Sequence, residues 1–258
     1  MKFFRHTLIG GFLFLLISIA ARAQDYNSSH IFAHNDYVRA VPFFTAYELQ
    51  VGYIEADVFL DHGDLSVAHH TQEIQPGRTL ESLYLKPLLA QVRRNDGFAY
   101  KDSLRSLVLM IDLKTEGTST LQAVADLLAT YPELINCRTL KFMISGSVPD
   151  PGLWMNYPSY IYFDGRPGIR YTPEQWKKIH MISTSFGQHM KWNGHGQLPE
   201  AEIIKTKSLM NEAHAHGKTF RFWGTPDFEN AWQQFMSLQM DVVVTDDVTG
   251  LMKFLEQR

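Results

Sequence analysis

From Ile31 onward, short runs of β-branched and aromatic residues alternate with longer stretches whose apolar positions recur every three or four residues. The first kind of pattern predicts strands, the second helices. Strands are expected at Ile31–Ala33, Tyr53–Phe59, Leu107–Leu113, Leu140–Ile144, Tyr160–Phe163, Met181–Ser185, Thr219–Phe222 and Val242–Thr245, with a further short extended piece at Leu65–Ala68. Several are apolar throughout, as parallel strands covered on both faces are. Helices are expected at Pro42–Gln50, Leu80–Arg94 (interrupted by Pro87), Ser119–Tyr131 (capped by Ser119 or Thr120), Glu200–His216, Phe228–Leu238 and Thr249–Glu256. Eight strands alternating with helices predict an α/β fold of the (β/α)8 TIM-barrel class. An open doubly wound sheet is the other arrangement, usually with fewer strands.

Residues 1–23 have a different pattern. Lys2 and Arg5 precede an almost wholly apolar run from Leu8 to Ala20, and Ala21-Arg22-Ala23 offers small residues around a cleavage point. The expectation is a signal peptide over residues 1–23 and one domain over residues 24–258, exported to the periplasm or secreted. An uncleaved anchor is the alternative, but the run falls short of the roughly 20 residues a spanning helix needs. No later segment is long and apolar enough to span a bilayer.

The 258-residue chain is 45% hydrophobic, which excludes disorder as its main state. Its formal charge of −3 gives no reason to expect a nucleic-acid partner, and loss of residues 1–23 removes only positive charges. The single cysteine, Cys137, excludes an internal disulfide.

Chemistry in a (β/α)8 barrel sits at the C-terminal strand ends. The first expected strand ends in Ala33-His34-Asn35-Asp36, either a reactive histidine or a capping turn. On the second, Glu55 and Asp57 point the same way because side chains alternate along a strand. Two carboxylates aimed into a barrel repel unless a cation separates them, and hard divalent ions take such oxygen ligands. An edge strand with its polar side in water is the alternative. Asp112 and Lys114 share a side at the end of the third strand, as a third carboxylate with a cationic neighbour or as a simple ion pair. After Gly63 come His69 and His70, of which alternation lets one face a pocket. Imidazoles from two strand ends can serve as general base and acid. Later strand ends add Arg166, a candidate phosphate ligand, and Trp223, a candidate pocket-mouth aromatic, with core packing as the alternative for Trp223.

The order of these motifs resembles the phospholipase C-like phosphodiesterase superfamily, in particular its glycerophosphodiester phosphodiesterase branch. The shared pattern is a histidine ending the first strand, Glu-x-Asp on the second, and a histidine six residues after Gly63. Asp112 with Lys114 and the closing Val244-Thr245-Asp246 follow in the same order. A narrower similarity is to the altered-inheritance-of-mitochondria group, carried by His34-Asn35-Asp36-Tyr37, Glu55-Ala56-Asp57-Val58, Arg78-Thr79-Leu80, Leu83-Tyr84-Leu85 and Phe222-Trp223-Gly224-Thr225-Pro226-Asp227. The resemblance implies His34 and His69 as the catalytic pair. It also implies Glu55, Asp57 and Asp112 as ligands of one Ca²⁺ or Mg²⁺, and Asn35, Lys114, Arg166 and Trp223 around the substrate. The implied activity is hydrolysis of a small or lipid-derived phosphodiester, with attack by a neighbouring substrate hydroxyl giving a cyclic product first. The chain departs from the glycerophosphodiesterase pattern at the first motif, where His-Arg-Gly is replaced by His34-Asn35-Asp36. Either Arg39 or Arg166 substitutes for the missing guanidinium, or the substrate differs. A non-catalytic, metal-dependent binder of phosphorylated head groups or sugars is the alternative function. A glycoside hydrolase using Glu55 and Asp57 fits less well, because its carboxylates come from opposite sides of the scissile bond.

Overall fold

A computed structural model describes residues 25–258, so the export signal expected at residues 1–23 lies outside the described residues. Nine strands are present among them: β1 (Ile31–Ala33), β2 (Tyr53–Asp61), β3 (Asp64–Val67), β4 (Leu107–Leu113), β5 (Leu140–Gly146), β6 (Ile161–Gly165), β7 (Ile179–Ser185), β8 (Thr219–Trp223) and β9 (Val243–Thr245). All but β3 run parallel, in the spatial order β8-β7-β6-β5-β4-β2-β1-β9. The extended piece expected after Gly63 is β3, folded back antiparallel on β2. β8 and β9 meet without a shared ladder. Carboxylates close that seam: Asp241 accepts from the Phe220 N–H and Asp227 from the Asp246 N–H, both at 2.7 Å. The result is a nearly closed (β/α)8 barrel.

Strand alternation divides the apolar material into two cores. Ile54, Ala56, Val58, Leu109, Ile111, Phe142 and Phe163 point outward and pack under the helices. Phe32, Val108, Met110, Met143, Met181, Val242 and Val244 fill the lower barrel. Along each inward stripe the chemistry then changes. Tyr53 gives way to Glu55 and Asp57, Met110 to Asp112 and Lys114, and Met143 to Ser145. This places a packed plug below and an ionic layer at the C-terminal strand ends, where it lines a cavity.

Helix ends differ from expectation for local reasons. The third expected helix spans Gly117–Ala129, two residues earlier than predicted, because Glu116 and not Ser119 or Thr120 caps it. The Glu116 carboxylate accepts from the backbone of Ser119 at 2.8 Å and Thr118 at 2.9 Å, which holds its pKa down to about 2. Pro87 does not interrupt the Leu80–Arg94 segment. A π-helical turn, Glu81–Leu85, leads into the helix Lys86–Arg94, and Pro87 sits in the first turn of that helix. The helix expected at Pro42–Gln50 shortens to Phe44–Glu48, since Phe43 at φ 66° cannot be helical.

At the opposite, N-terminal mouth, His180 lies between the rings of Tyr53 (6.2 Å) and Tyr162 (6.1 Å). Burial, with Lys141 and Lys218 nearby, pushes its pKa down to about 4. The unfolded chain therefore takes up a proton on this residue before the folded chain does. The stabilisation is complete above the ordinary histidine value of about 6.5 and is lost as pH falls from there through about 4. His180→Phe is expected to flatten that part of the stability profile, measured as denaturant midpoint against pH. An unchanged slope would exclude His180 as its source.

Candidate active site

A cavity of about 420 Å³ opens at the C-terminal end of the barrel, and of the residues singled out from the sequence His34, Asn35, Glu55, Asp57, His69, Asp112, Lys114, Arg166 and Trp223 line it, whereas Arg39 does not. Ser145, Gly146 and Arg221 complete the wall. His70 stands outside the lining.

The acidic wall comes from two adjacent strands. Asp57 on β2 pairs in register with Asp112 on β4. One carboxylate oxygen each of Glu55, Asp57 and Asp112 lies within 4.8 Å of the others. Lys114 Nζ reaches Asp57 Oδ2 at 2.8 Å and Asp112 Oδ1 at 3.1 Å. Burial and the Glu55 charge push the Asp57 carboxyl above the usual range, with Lys114 opposing. One ammonium does not balance three carboxylates, and Asp57 Oδ1 is buried with no hydrogen-bond partner. A set of hard oxygens with one left unpaired fits a hard divalent cation.

His34 projects from the end of β1. Its Nδ1 lies 2.8 Å from Asp246 Oδ1, at the end of β9, and its Nε2 lies 3.5 Å from Glu55 Oε2. Burial disfavours the imidazolium, but the hydrogen bond to Asp246 and the Glu55 charge outweigh it, and the pKa is raised. Asn35 takes a left-handed turn (φ 48°), so its backbone N–H donates to Glu55 Oε2 at 3.0 Å. Its side-chain nitrogen lies 3.3 Å from Asp246 Oδ1, and its oxygen accepts from the Tyr37 hydroxyl at 2.8 Å. The Asn35 side chain thus braces His34 and Asp246.

His69 sits at the exposed rim, its Nδ1 2.9 Å from His70 Nε2. His70 in turn donates its backbone N–H to Glu73 at 3.1 Å, so it orients His69 from outside the cavity. Phe222 is core, whereas Trp223 stands at the mouth, 38% exposed.

The remaining motif residues hold this layer in place. Tyr37 hydroxyl lies 2.7 Å from Asp57 Oδ2, and Arg78 donates to the Tyr37 carbonyl at 2.6 Å. Asp36, fully buried, accepts from the Phe43 N–H at 2.6 Å and the Tyr84 hydroxyl at 3.1 Å. Asp227 accepts from Asp246 N–H and Trp232 Nε1, both at 2.7 Å. These contacts hold the strand ends that carry His34 and Asp246 and the Asp57 carboxylate on β2.

The fold has a solved counterpart. A crystal structure of a glycerophosphodiester phosphodiesterase from Parabacteroides distasonis superposes with a TM-score of 0.54 at 14% identity, covering 90% of this chain and 98% of that one. The fold is a (β/α)8 barrel like that of this phosphodiesterase, and the sequence is similar to the phospholipase C-like superfamily. Within that superfamily the similarity runs to the altered-inheritance-of-mitochondria group. The AIM6-like phosphodiesterase domain family matches residues 21–134. Altered inheritance of mitochondria protein 6 of Kluyveromyces lactis is 25% identical over 305 residues, covering 87% of this chain and 72% of the relative. The protein of that name from Saccharomyces cerevisiae is 26% identical over 278 residues, covering 91% and 71%.

Proposed function

We propose that the protein is an exported, divalent-cation-dependent phosphoric diester hydrolase acting on a glycerophosphodiester or phospholipid-like substrate. One observation carries the reading: two histidines, three carboxylates and a lysine converge on a single cavity at the catalytic end of a phosphodiesterase-type barrel.

Asp246 accepts the Nδ1 proton of His34 and leaves Nε2 as the base that takes a proton from the attacking hydroxyl. Where that hydroxyl belongs to the substrate, the product is a cyclic diester, opened by water in a second step. His69 at the exposed rim gives its proton to the departing alkoxide, which leaves toward solvent. Glu55, Asp57 and Asp112 would hold the cation, which supplies positive charge to the phosphoryl oxygens. Lys114 adds to that charge and keeps Asp57 and Asp112 apart from full repulsion.

A neighbouring recess of about 550 Å³ favours a lipid-like alcohol. It shares Gly146 and Arg166 with the cavity and is lined by Val148, Trp154, Ile169 and Tyr171. Export rests on residues 1–23. Among the described residues no helix is long and apolar enough to cross a membrane.

The test is turnover of a chromogenic phosphodiester, a glycerophosphodiester and a long-chain lysophospholipid with Ca²⁺, Mg²⁺ or chelator, using His34→Ala as blank. The expected result is cation-dependent turnover, absent in the blank, with higher kcat/KM on the long-chain substrate. No turnover on any of them, with the cation still raising Tm, would replace the hydrolase by a metal-dependent head-group binder.

A further inference from the structure

The first motif lacks the arginine that would meet phosphate, and the structure removes one of the two expected substitutes. Arg39 is turned to Asp36, its Nε 3.7 Å from Asp36 Oδ1, and it does not line the cavity. Arg166 does line it, and so does a second guanidinium on the wall opposite the acids. Arg221 rises from β8 and is 2% exposed. Its guanidinium stacks 4.0 Å above the Phe32 ring. Nη2 lies 3.3 Å from Met110 Sδ and 3.4 Å from Asp164 Oδ2. Nε and Nη1 are buried and have no hydrogen-bond acceptor among the described residues. A buried guanidinium leaves donors unmet only at a large cost in free energy, unless the acceptor arrives from the cavity.

Asp164 on β6 organises both arginines. It is 2% exposed. Its Oδ2 accepts from Ser183 Oγ at 2.6 Å, Arg166 Nη1 at 2.9 Å and Ser145 Oγ at 3.0 Å. The two serines, from the strands on either side, fix the carboxylate, and the carboxylate fixes the two forks. One negative charge against two positive ones leaves the wall cationic. Across the cavity stand the three carboxylates and Lys114. An anion between the walls would meet unpaired N–H donors on one side and cation-binding oxygens on the other.

We propose that Arg221 and Arg166, set by Asp164, form the cradle for the non-bridging oxygens of a phosphoryl group and replace the arginine missing from the first motif. Asp164 is a positioning residue in this scheme, since it reaches the ligand only through the guanidinium groups. The identity of the anion as a phosphodiester rests on the hydrolase reading. The cradle itself is an anion site whether or not the protein turns a diester over.

The probe is inorganic phosphate, measured by calorimetry on the wild-type chain and on Arg221→Met, Arg221→Lys and Asp164→Asn, with circular dichroism and Tm as controls for folding. Losing one charge-assisted fork is expected to raise the phosphate Kd about tenfold or more in Arg221→Met. Arg221→Lys keeps the charge but not the fork, so a rise is expected there too, and this variant carries the test if the methionine variant does not fold. Asp164→Asn discriminates further. It adds net positive charge, so charge alone would tighten phosphate, whereas positioning predicts weaker binding and a raised KM. Folded Arg221 variants that bind phosphate like wild type would overturn the cradle, as would a wild-type chain that cleaves diesters but does not bind phosphate. Arg221-dependent phosphate binding without diester turnover would leave the cradle standing and remove the hydrolase.

Discussion

His34→Ala is expected to lower kcat about 10³–10⁴-fold and Asp246→Ala about 10²-fold, with Tm nearly unchanged in both. In the proposed mechanism the histidine does the proton transfer. The aspartate decides which of its nitrogens is free to do so, by accepting from Nδ1 at 2.8 Å. Asp246 is more than half exposed, so its removal leaves no buried group unpaired and costs little stability. The informative variant is Asp246→Asn, which keeps the shape. Its amide can donate to Nδ1 and so favours the tautomer whose proton sits on Nε2, where no proton can be accepted. Asn is therefore expected to be at least as damaging as Ala, although it is the more conservative change. A purely structural role ranks them the other way. Steady-state kinetics on the chromogenic diester with all three variants decides the matter. An Asn variant with near-normal kcat would show that Asp246 does not set the His34 tautomer.

Much of this site was legible in the sequence because its chemistry is local. Glu55 and Asp57, or Asp112 and Lys114, share a face two residues apart on one strand, and a strand end needs only a short apolar run to announce it. The resemblance to a known family then joined strand ends that are far apart in the chain. What escaped is what depends on pairing between distant strands. Nothing in Phe163-Asp164-Gly165-Arg166 says that Asp164 will gather Ser145, Ser183 and Arg221 from three other strands. Arg221 is only a weak signal on its strand until the barrel turns it inward over Phe32. His34 and Asp246 are separated by almost the whole domain and meet only because β1 and β9 pair. Helix starts failed for a smaller reason: Glu116 caps through its carboxylate, a role that Ser and Thr more often fill.

Gly146 joins the fold to the acidic wall, and Gly146→Ala is expected to damage both. The residue ends β5 at φ +75°, a conformation costing a side-chain-bearing residue about 1–2 kcal/mol. It also pairs in register with Leu113 on β4, beside the metal-ligand candidate Asp112. A Cβ here would stand 2.5 Å from the Leu113 carbonyl oxygen and inside contact distance of Asp112 Oδ1. The carbonyl cannot yield, because it accepts from the Ser147 N–H at 2.9 Å and belongs to the sheet. The carboxylate can, and it would move off the position shared with Glu55 and Asp57. Overpacking adds roughly 1–3 kcal/mol to the backbone cost, for a total of about 2–5 kcal/mol. At roughly 2–4 °C per kcal/mol for a domain of this size, Tm should fall by about 10 °C. Gly97→Ala supplies the control, since its φ of +90° is similar but nothing lies within 4 Å of its Cβ. That variant should show the backbone penalty alone. The difference between the two melting temperatures isolates the packing term, and a metal titration of Gly146→Ala reads the displaced carboxylate as a Kd raised about tenfold or more. Equal losses in the two glycine variants would mean that β4 and β5 yield at this point and that Gly146 does not set the position of Asp112.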